Sequence, residues 1–231
     1  MLMSVYYKEN PCYFKQSLES IWRQSKRPSE IVVVKDGPLT EELDSVLSDF
    51  ASTAPCKIIS LAKNGGLGNA LNIGVRECSF ELIARMDSDD ISKPNRFERQ
   101  LSIFDTMPEV DVVGSWIDEF YSSIDNVVDV RKVPECQCDI VRYAKFRSPV
   151  NHPAVMYRKS SVLAAGNYQH LNQYEDYYLW VRMLMKGCIL YNIQDSLLFF
   201  RASSDLYKRR GGLKYVGYDI DFQKTLVTIL R

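Results

Sequence analysis

Two hydrophobic periods alternate through the first half of the chain. Near-continuous apolar runs at residues 2–6, 30–35, 57–61, 82–86 and 110–114 have the pattern of strands buried on both faces, as in a parallel sheet. Between them the apolar residues fall at helical spacing: Phe14, Leu18, Ile21 and Trp22; Leu43, Val46, Leu47 and Phe50; Leu67, Leu71, Val75 and Cys78; Phe97, Leu101 and Phe104. Thr40 followed by Glu41 and Glu42 marks one helix start, and Pro94 marks another. Alternation of this kind predicts right-handed crossovers and an α/β fold built on an open, twisted, mostly parallel Rossmann-like sheet flanked by helices. Ligands are then expected outside the carboxyl ends of the strands. The loops of interest begin at Tyr6, Lys35, Ala62 and Asp87.

After Gly114 the pattern changes to a mixed annex. Short strand-like pieces lie at 117–121, 127–130 and 154–157, and helical pieces at 139–146 and 159–165. A helix over 176–186 places Tyr177, Trp180 and Leu184 on one side. Two strands follow, and a last helix begins near Gly212, with Leu213, Val216, Ile220 and Val227 at helical spacing. That helix has the pattern either to dock on the sheet or to lie at a membrane surface. With no repeat or linker in 231 residues, one domain is expected over 1–231.

Composition narrows the function classes. The 29 basic and 29 acidic side chains cancel, so no global field favours nucleic acid. Six scattered cysteines suit free thiols in a reducing compartment, hence the cytoplasm, and Cys136 and Cys138 lack the second pair or histidine that a zinc site would need. No run approaches membrane-spanning length, and the apolar opening lacks the basic flank of a signal peptide.

The most distinctive feature is a strand ending in Arg85-Met86-Asp87-Ser88-Asp89-Asp90, three carboxylates within four residues. Such crowding calls for compensation, and a hard divalent cation that also binds phosphate would supply it. Helix capping and turn formation explain one or two of the acids equally well. Asp36 also ends a strand, and Lys63-Asn64-Gly65-Gly66-Leu67-Gly68 is a glycine-rich strand-to-helix loop of the kind that brings backbone N–H groups close to an anion or a base. Glu175 and Asp176 open a helix among aromatics, where partial desolvation raises a carboxylate's basicity; they also suit the positive end of a helix dipole. Trp180 fits either a sugar-stacking ring or the core. His152 fits an acceptor or diphosphate contact, or a structural hydrogen bond, and Arg209 and Arg210 fit a diphosphate-binding lid or a solvated basic loop.

In their order along the chain, Ser4-Val5-Tyr6-Tyr7, Asp36-Gly37-Pro38, Asn64-Gly65-Gly66-Leu67-Gly68-Asn69-Ala70-Leu71-Asn72, Arg85-Met86-Asp87-Ser88-Asp89-Asp90 and Glu175-Asp176-Tyr177-Tyr178-Leu179-Trp180-Val181-Arg182 resemble the family 2 glycosyltransferases of the GT-A fold. The likeness is greatest to bacterial enzymes that build exopolysaccharide of the amylovoran type, capsule and O-antigen. The resemblance implies a nucleotide-sugar donor, with a UDP-sugar expected, held by Ser4, Tyr6, Asp36, Asn64, Arg85 and Asp87. It implies Mn²⁺ or Mg²⁺ at Asp89 with Asp87, and Asp176 as catalytic base supported by Glu175. A donor half over 1–115 and an acceptor half over 116–231 follow from the same likeness. The acceptor it implies is a saccharide on a lipid pyrophosphate carrier, met by a cytoplasmic enzyme with peripheral contact at the inner membrane face.

Overall fold

A computed structural model of the chain describes residues 1–169, 171 and 174–202. Arg209, Arg210, the expected last helix and its suggested membrane contact lie outside the described residues.

Three of the expected strands form a parallel sheet: β1 (Leu2–Val5), β2 (Ile31–Lys35) and β3 (Cys56–Ser60), with Leu2 opposite Val32 and Ile31 opposite Cys56. Helices α1 (Pro11–Trp22) and α2 (Glu41–Ala51) make the crossovers. Their starts are specified locally. The Asn10 side chain accepts from the Cys12 and Tyr13 amides ahead of Pro11, and Thr40 caps α2, whose first turn carries Glu41, Glu42 and Asp44. Helix α3 (Leu67–Glu77) then leads to β4 (Leu82–Ala84), which joins the other side of β1 through a parallel bridge between Leu2 and Arg85.

Beyond β4 the sheet departs from the expected parallel run. The fifth strand, β6 (Val110–Phe120), points the same way as β4 but does not touch it, because β8 (Met156–Arg158) lies between and pairs antiparallel with both. The pieces expected apart at 110–114 and 117–121 are one strand. Its middle survives through register shifts near Ser115 and Trp116, and through Gly114, where an added Cβ would lie 2.1 Å from Asn192 Oδ1. Strand β7 (Val127–Arg131) pairs antiparallel with the far end of β6. After α4 (Arg96–Thr106), α5 (Gln137–Tyr143), α6 (Lys159–Ala164) and α7 (Glu175–Met185) are accounted for, the two strands expected next are a single strand, β9 (Ile189–Arg201), running parallel to β6. The polar stretch that breaks its apolar pattern is held in place by Asn192, whose amide donates to the carbonyls of Pro134 (2.6 Å) and Pro149 (3.0 Å). A short β5 (Ile91–Ser92) closes that edge antiparallel to β9.

Alternation along the central strands sends their side chains into two cores. Met3, Val5, Ile31 and Val33 pack with Phe14, Leu18, Leu43 and Leu47 on one face. Leu2, Val32 and Val34 pack with Leu71, Val75, Tyr157 and Trp180 on the other. A buried cation ties the strands together: Arg96, fully buried on α4, donates to the carbonyls of Arg85 (2.6 Å) and Val155 (3.1 Å) and to Gln100 Oε1 (3.1 Å). Gln100 in turn donates to Val113 O at 2.9 Å and Ala154 O at 2.8 Å. Burial, and then the neighbouring Arg85, lower the Arg96 pKa to about 9, so this guanidinium is held at a cost that its carbonyl contacts offset. Arg96→Ala is expected to lose roughly 3 kcal/mol of stability by leaving carbonyls unpaired around a cavity. Urea unfolding measures this, and a loss within ~0.5 kcal/mol would show that the staple is dispensable.

Candidate active site

The first component is assembled by two loops at the carboxyl ends of β2 and β3. Asp36, directly after β2, accepts the Gly65 amide on Oδ1 at 2.7 Å and the Gly66 amide on Oδ2 at 3.0 Å, while Asn64 Nδ2 donates to its backbone carbonyl at 3.2 Å. Gly37 makes the close approach feasible: its φ is 88°, and an added Cβ would sit 2.6 Å from the Asn64 backbone nitrogen. Both oxygens of the Asp36 carboxylate are thus engaged by the glycine-rich loop, which is preset before any ligand arrives. Ser4 on β1 and Tyr6 just beyond it are half-buried beside this unit's strand, with the Tyr6 ring edge-on to Tyr7 at 5.9 Å.

The acidic cluster after β4 divides into three environments. Asp87 pairs with the buried guanidinium of Arg85 and receives the Ser17 hydroxyl on its backbone oxygen. Asp90 is fully buried; its Oδ1 accepts the Arg201 amide at 2.9 Å, and its Oδ2 has no hydrogen-bond partner among the described residues. Burial, followed by repulsion from Asp89 and Asp87, raises the Asp90 pKa well above the ordinary carboxylate range. Asp90 therefore ties the end of β9 to the loop. Asp89 is half-buried, and burial, then Asp87 and Glu9, push its pKa up to about 7. Glu9 enters from the β1–α1 loop, accepting the Ser88 hydroxyl at 2.6 Å. Asp87 and Asp89 offer carboxylate oxygens of the kind that fit a hard divalent cation, and Glu9 adds negative charge nearby. Among the described residues no three His, Cys, Asp or Glu side chains are placed to hold a metal by themselves. The remaining ligands of such a cation would be phosphate oxygens and water.

The second half of the chain brings α7 against the first. A Cβ at Gly68, in the first turn of α3, would lie 3.3 Å from Glu175 Cβ, so the starts of the two helices touch. Asp176 Oδ2 lies 3.9 Å from His152 Nδ1, and the other ring nitrogen of His152, Nε2, is 2.9 Å from the Tyr168 hydroxyl. Burial, reinforced by Arg85, holds the His152 pKa well below the ordinary value, so the ring is neutral and its approach to Asp176 is not an ion pair. Trp180 is fully buried, its ring 6.0 Å from His152 and 6.3 Å from Tyr157. Placed so, it is a core ring that supports His152 and offers no face to solvent. Arg85 links the two sides: burial works against its charge, but Asp87, Tyr168 and Asp176 outweigh that and raise its pKa.

The structure therefore gathers Asp36 with Asn64, Asp87 with Asp89, and Glu175 with Asp176 at one end of the sheet. Glu9, Tyr168 and Arg201 join them without having been singled out in the sequence. Glu9 had a usable signal, since it stands in the first carboxyl-end loop; Tyr168 and Arg201 had none.

Comparison with known proteins decides the class. The family described as "Glycosyl transferase family 2" matches residues 2–161. The chain belongs to family 2 of the glycosyltransferases. It is a glycosyltransferase with curated relatives across nearly its whole length. One is the UDP-Gal:alpha-D-GlcNAc-diphosphoundecaprenol beta-1,3-galactosyltransferase of Escherichia coli, 39% identical over 96% of this chain and 81% of that protein. Another is the amylovoran biosynthesis glycosyltransferase of Erwinia amylovora, 39% identical over 97% of this chain and 84% of that protein. Among solved structures, S. aureus TarS 1-349 in complex with UDP-GlcNAc superposes with a TM-score of 0.71 at 16% identity, covering 94% of this family 2 chain and 64% of that one. The mannosyltransferase PcManGT of Pyrobaculum calidifontis, in complex with GDP-Man and Mn²⁺, superposes with a TM-score of 0.66 at 16% identity, covering 90% of this chain and 59% of that one. At such identities the superpositions establish the GT-A fold alone.

Proposed function

We propose that this glycosyltransferase moves a hexose, with inversion, from a UDP-sugar to a saccharide on a lipid diphosphate carrier during assembly of a surface polysaccharide. The observation that carries this reading is Arg85: one buried guanidinium is paired with Asp87 on the donor side and feels the charge of Asp176 on the acceptor side. Donor and acceptor acids thus belong to a single electrostatic unit. The names of the two 39% identical relatives support the substrate class, one being a transferase to a diphosphoundecaprenol-linked sugar and the other an amylovoran enzyme.

In this mechanism residues 1–115 bind the donor and residues 116–231 present the acceptor. Asp36, Asn64 and the glycine loop border the nucleotide base, with Ser4 and Tyr6 beside it, and Asp87 faces the ribose and diphosphate. Asp176 accepts the proton of an acceptor hydroxyl as that oxygen attacks the anomeric carbon; the bond from that carbon to the diphosphate oxygen breaks, and UDP leaves. Glu175, packed on α3, sets the start of α7 and borders the acceptor. His152, neutral and fixed by Tyr168, stands beside the Asp176 side chain at 3.9 Å. Mn²⁺ or Mg²⁺ held by Asp89 and Asp87 would neutralise charge developing on the leaving diphosphate. The enzyme then works in the cytoplasm, at the inner face of the membrane that carries its acceptor.

A panel of nucleotide-sugars, offered with a short-chain lipid diphosphate saccharide and with or without Mn²⁺, tests the proposal by nucleoside diphosphate release. Release is expected from a UDP-hexose, dependent on metal and on acceptor. Transfer from a donor of another nucleotide class, or to a free saccharide in preference to the diphosphate-linked one, would overturn it.

A further inference from the structure

The segment that follows the β6–β7 hairpin is amphipathic in an unusual way. Helix α5 is anchored by Ile140, fully buried, and Ala144, 1% exposed, and backbone bonds from the Phe146 and Arg147 amides to Tyr143 O, each 3.0 Å, close the turn after it. The outward side holds Val141, 40% exposed, and Phe146, 75% exposed, a large apolar ring standing in solvent on a closed turn. Arg142, Lys145 and Arg147 flank them along the chain, all exposed. Residues 140–151 contain these three cations and no acid, in a chain whose total charge is zero. The nearest acid in sequence, Asp139, pairs with Arg142 at 3.3 Å.

We propose that residues 141–147 are a membrane-docking surface for an anionic bilayer, with Phe146 and Val141 entering the interface and Arg142, Lys145 and Arg147 facing acidic headgroups. The chemistry matches that partner: an aromatic and a branched aliphatic side chain flanked by cations gains from burial in the interface and from the negative surface potential together. A protein partner would more often bury a larger continuous apolar patch than two side chains offer. Position adds to the argument. The Tyr177 hydroxyl donates to Ala144 O at 2.8 Å, so the turn is fixed to α7 one residue from Asp176. Docking here brings the start of α7 to the bilayer surface, where a lipid-linked saccharide would be presented; this purpose rests on the proposed acceptor, whereas the surface itself does not.

The test is sedimentation of the full chain with phosphatidylcholine vesicles, with and without phosphatidylglycerol. Wild type is expected to bind only the anionic vesicles and to lose binding as salt rises. Lys145→Glu/Arg147→Glu is expected to weaken partitioning at least tenfold, each lost cation near the surface being worth roughly fivefold. Phe146→Ser, at a site too exposed to unfold the chain, is expected to weaken it roughly tenfold. Both variants should keep wild-type turnover on a water-soluble acceptor, which separates failure of this surface from failure of the catalytic assignment. Anionic binding that is absent in wild type, or unchanged in both variants, would overturn the proposal. So would a wild-type dimer in size-exclusion chromatography that Phe146→Ser makes monomeric, since the patch would then join two copies of the chain.

Discussion

Asp176→Asn is expected to lower kcat by roughly a thousandfold, the scale on which a positioned general base contributes. The substitution keeps the size and planarity of the side chain, so its packing at the start of α7 and its place 3.9 Å from His152 should persist. The capacity to accept a proton is removed, together with the negative charge that Arg85 feels. Donor binding is expected to stay within about twofold of wild type, because the loops around Asp36 and Asn64, proposed to border the nucleotide, are held by their own hydrogen bonds. The measurement is turnover at saturating UDP-sugar alongside calorimetric titration of the donor. Full turnover with intact donor binding would remove Asp176 from the role of base and return attention to Glu175.

Asp89→Asn should abolish metal-supported transfer, by roughly a hundredfold to a thousandfold, and at the same time stabilise the metal-free protein above neutral pH. The two effects share one cause. Burial, Asp87 and Glu9 raise the Asp89 pKa from the ordinary 3.8 to about 7. For an acid with a raised pKa in the folded state, the folded form holds its proton more tightly than the unfolded chain, so stability falls as pH rises between those two values and then levels off. Each pH unit of that interval corresponds to at most ~1.4 kcal/mol, reduced by the solvent that reaches a half-buried carboxylate. Asparagine carries no charge to expose, so the variant's melting temperature should exceed that of wild type near pH ~8 and converge with it near pH ~4. Added Mn²⁺ should raise the wild-type value and leave the variant's unchanged. A variant less stable than wild type at the higher pH would show that Asp89 is compensated within the protein and has no need of a cation.

Much of this site was legible because its residues stand where strands end. Asp36, Asn64, Asp87 and Asp89 lie at breaks between two hydrophobic periods, and a carboxyl-end loop is identifiable without any tertiary contact. The acids of α7 were marked by adjacency and by their aromatic setting. What the sequence hid depends on pairing across distance. Strand β8 is three residues long; it pairs with β4 and β6, strands far from it in sequence, and Arg96 and Gln100, on a helix some fifty residues earlier, grip the carbonyls of Val155 and Ala154 at its entry. Arg96 and Gln100 sit four apart on the apolar stripe of Phe97, Leu101 and Phe104, and polar residues there could have flagged a buried network. Trp180 carried two readings, and its ring ended in the core because the neutral His152 and Tyr157 pack against it. Asp90 shows the same ambiguity resolved the other way: one acid in the crowded triplet is structural, bound to the Arg201 amide of β9.

The insertion of β8 bears on how specificity in such an enzyme is altered. Residue 115, the boundary proposed between a donor and an acceptor half, lies inside the continuous strand Val110–Phe120, and β4 of the first half is paired to β8 of the second. A chimaera spliced there would cut a strand in its middle and draw the two carbonyl partners of Arg96, those of Arg85 and Val155, from different parents. Exchange of sugar or acceptor preference between relatives is therefore better sought by transplanting loops onto an intact sheet than by recombining halves.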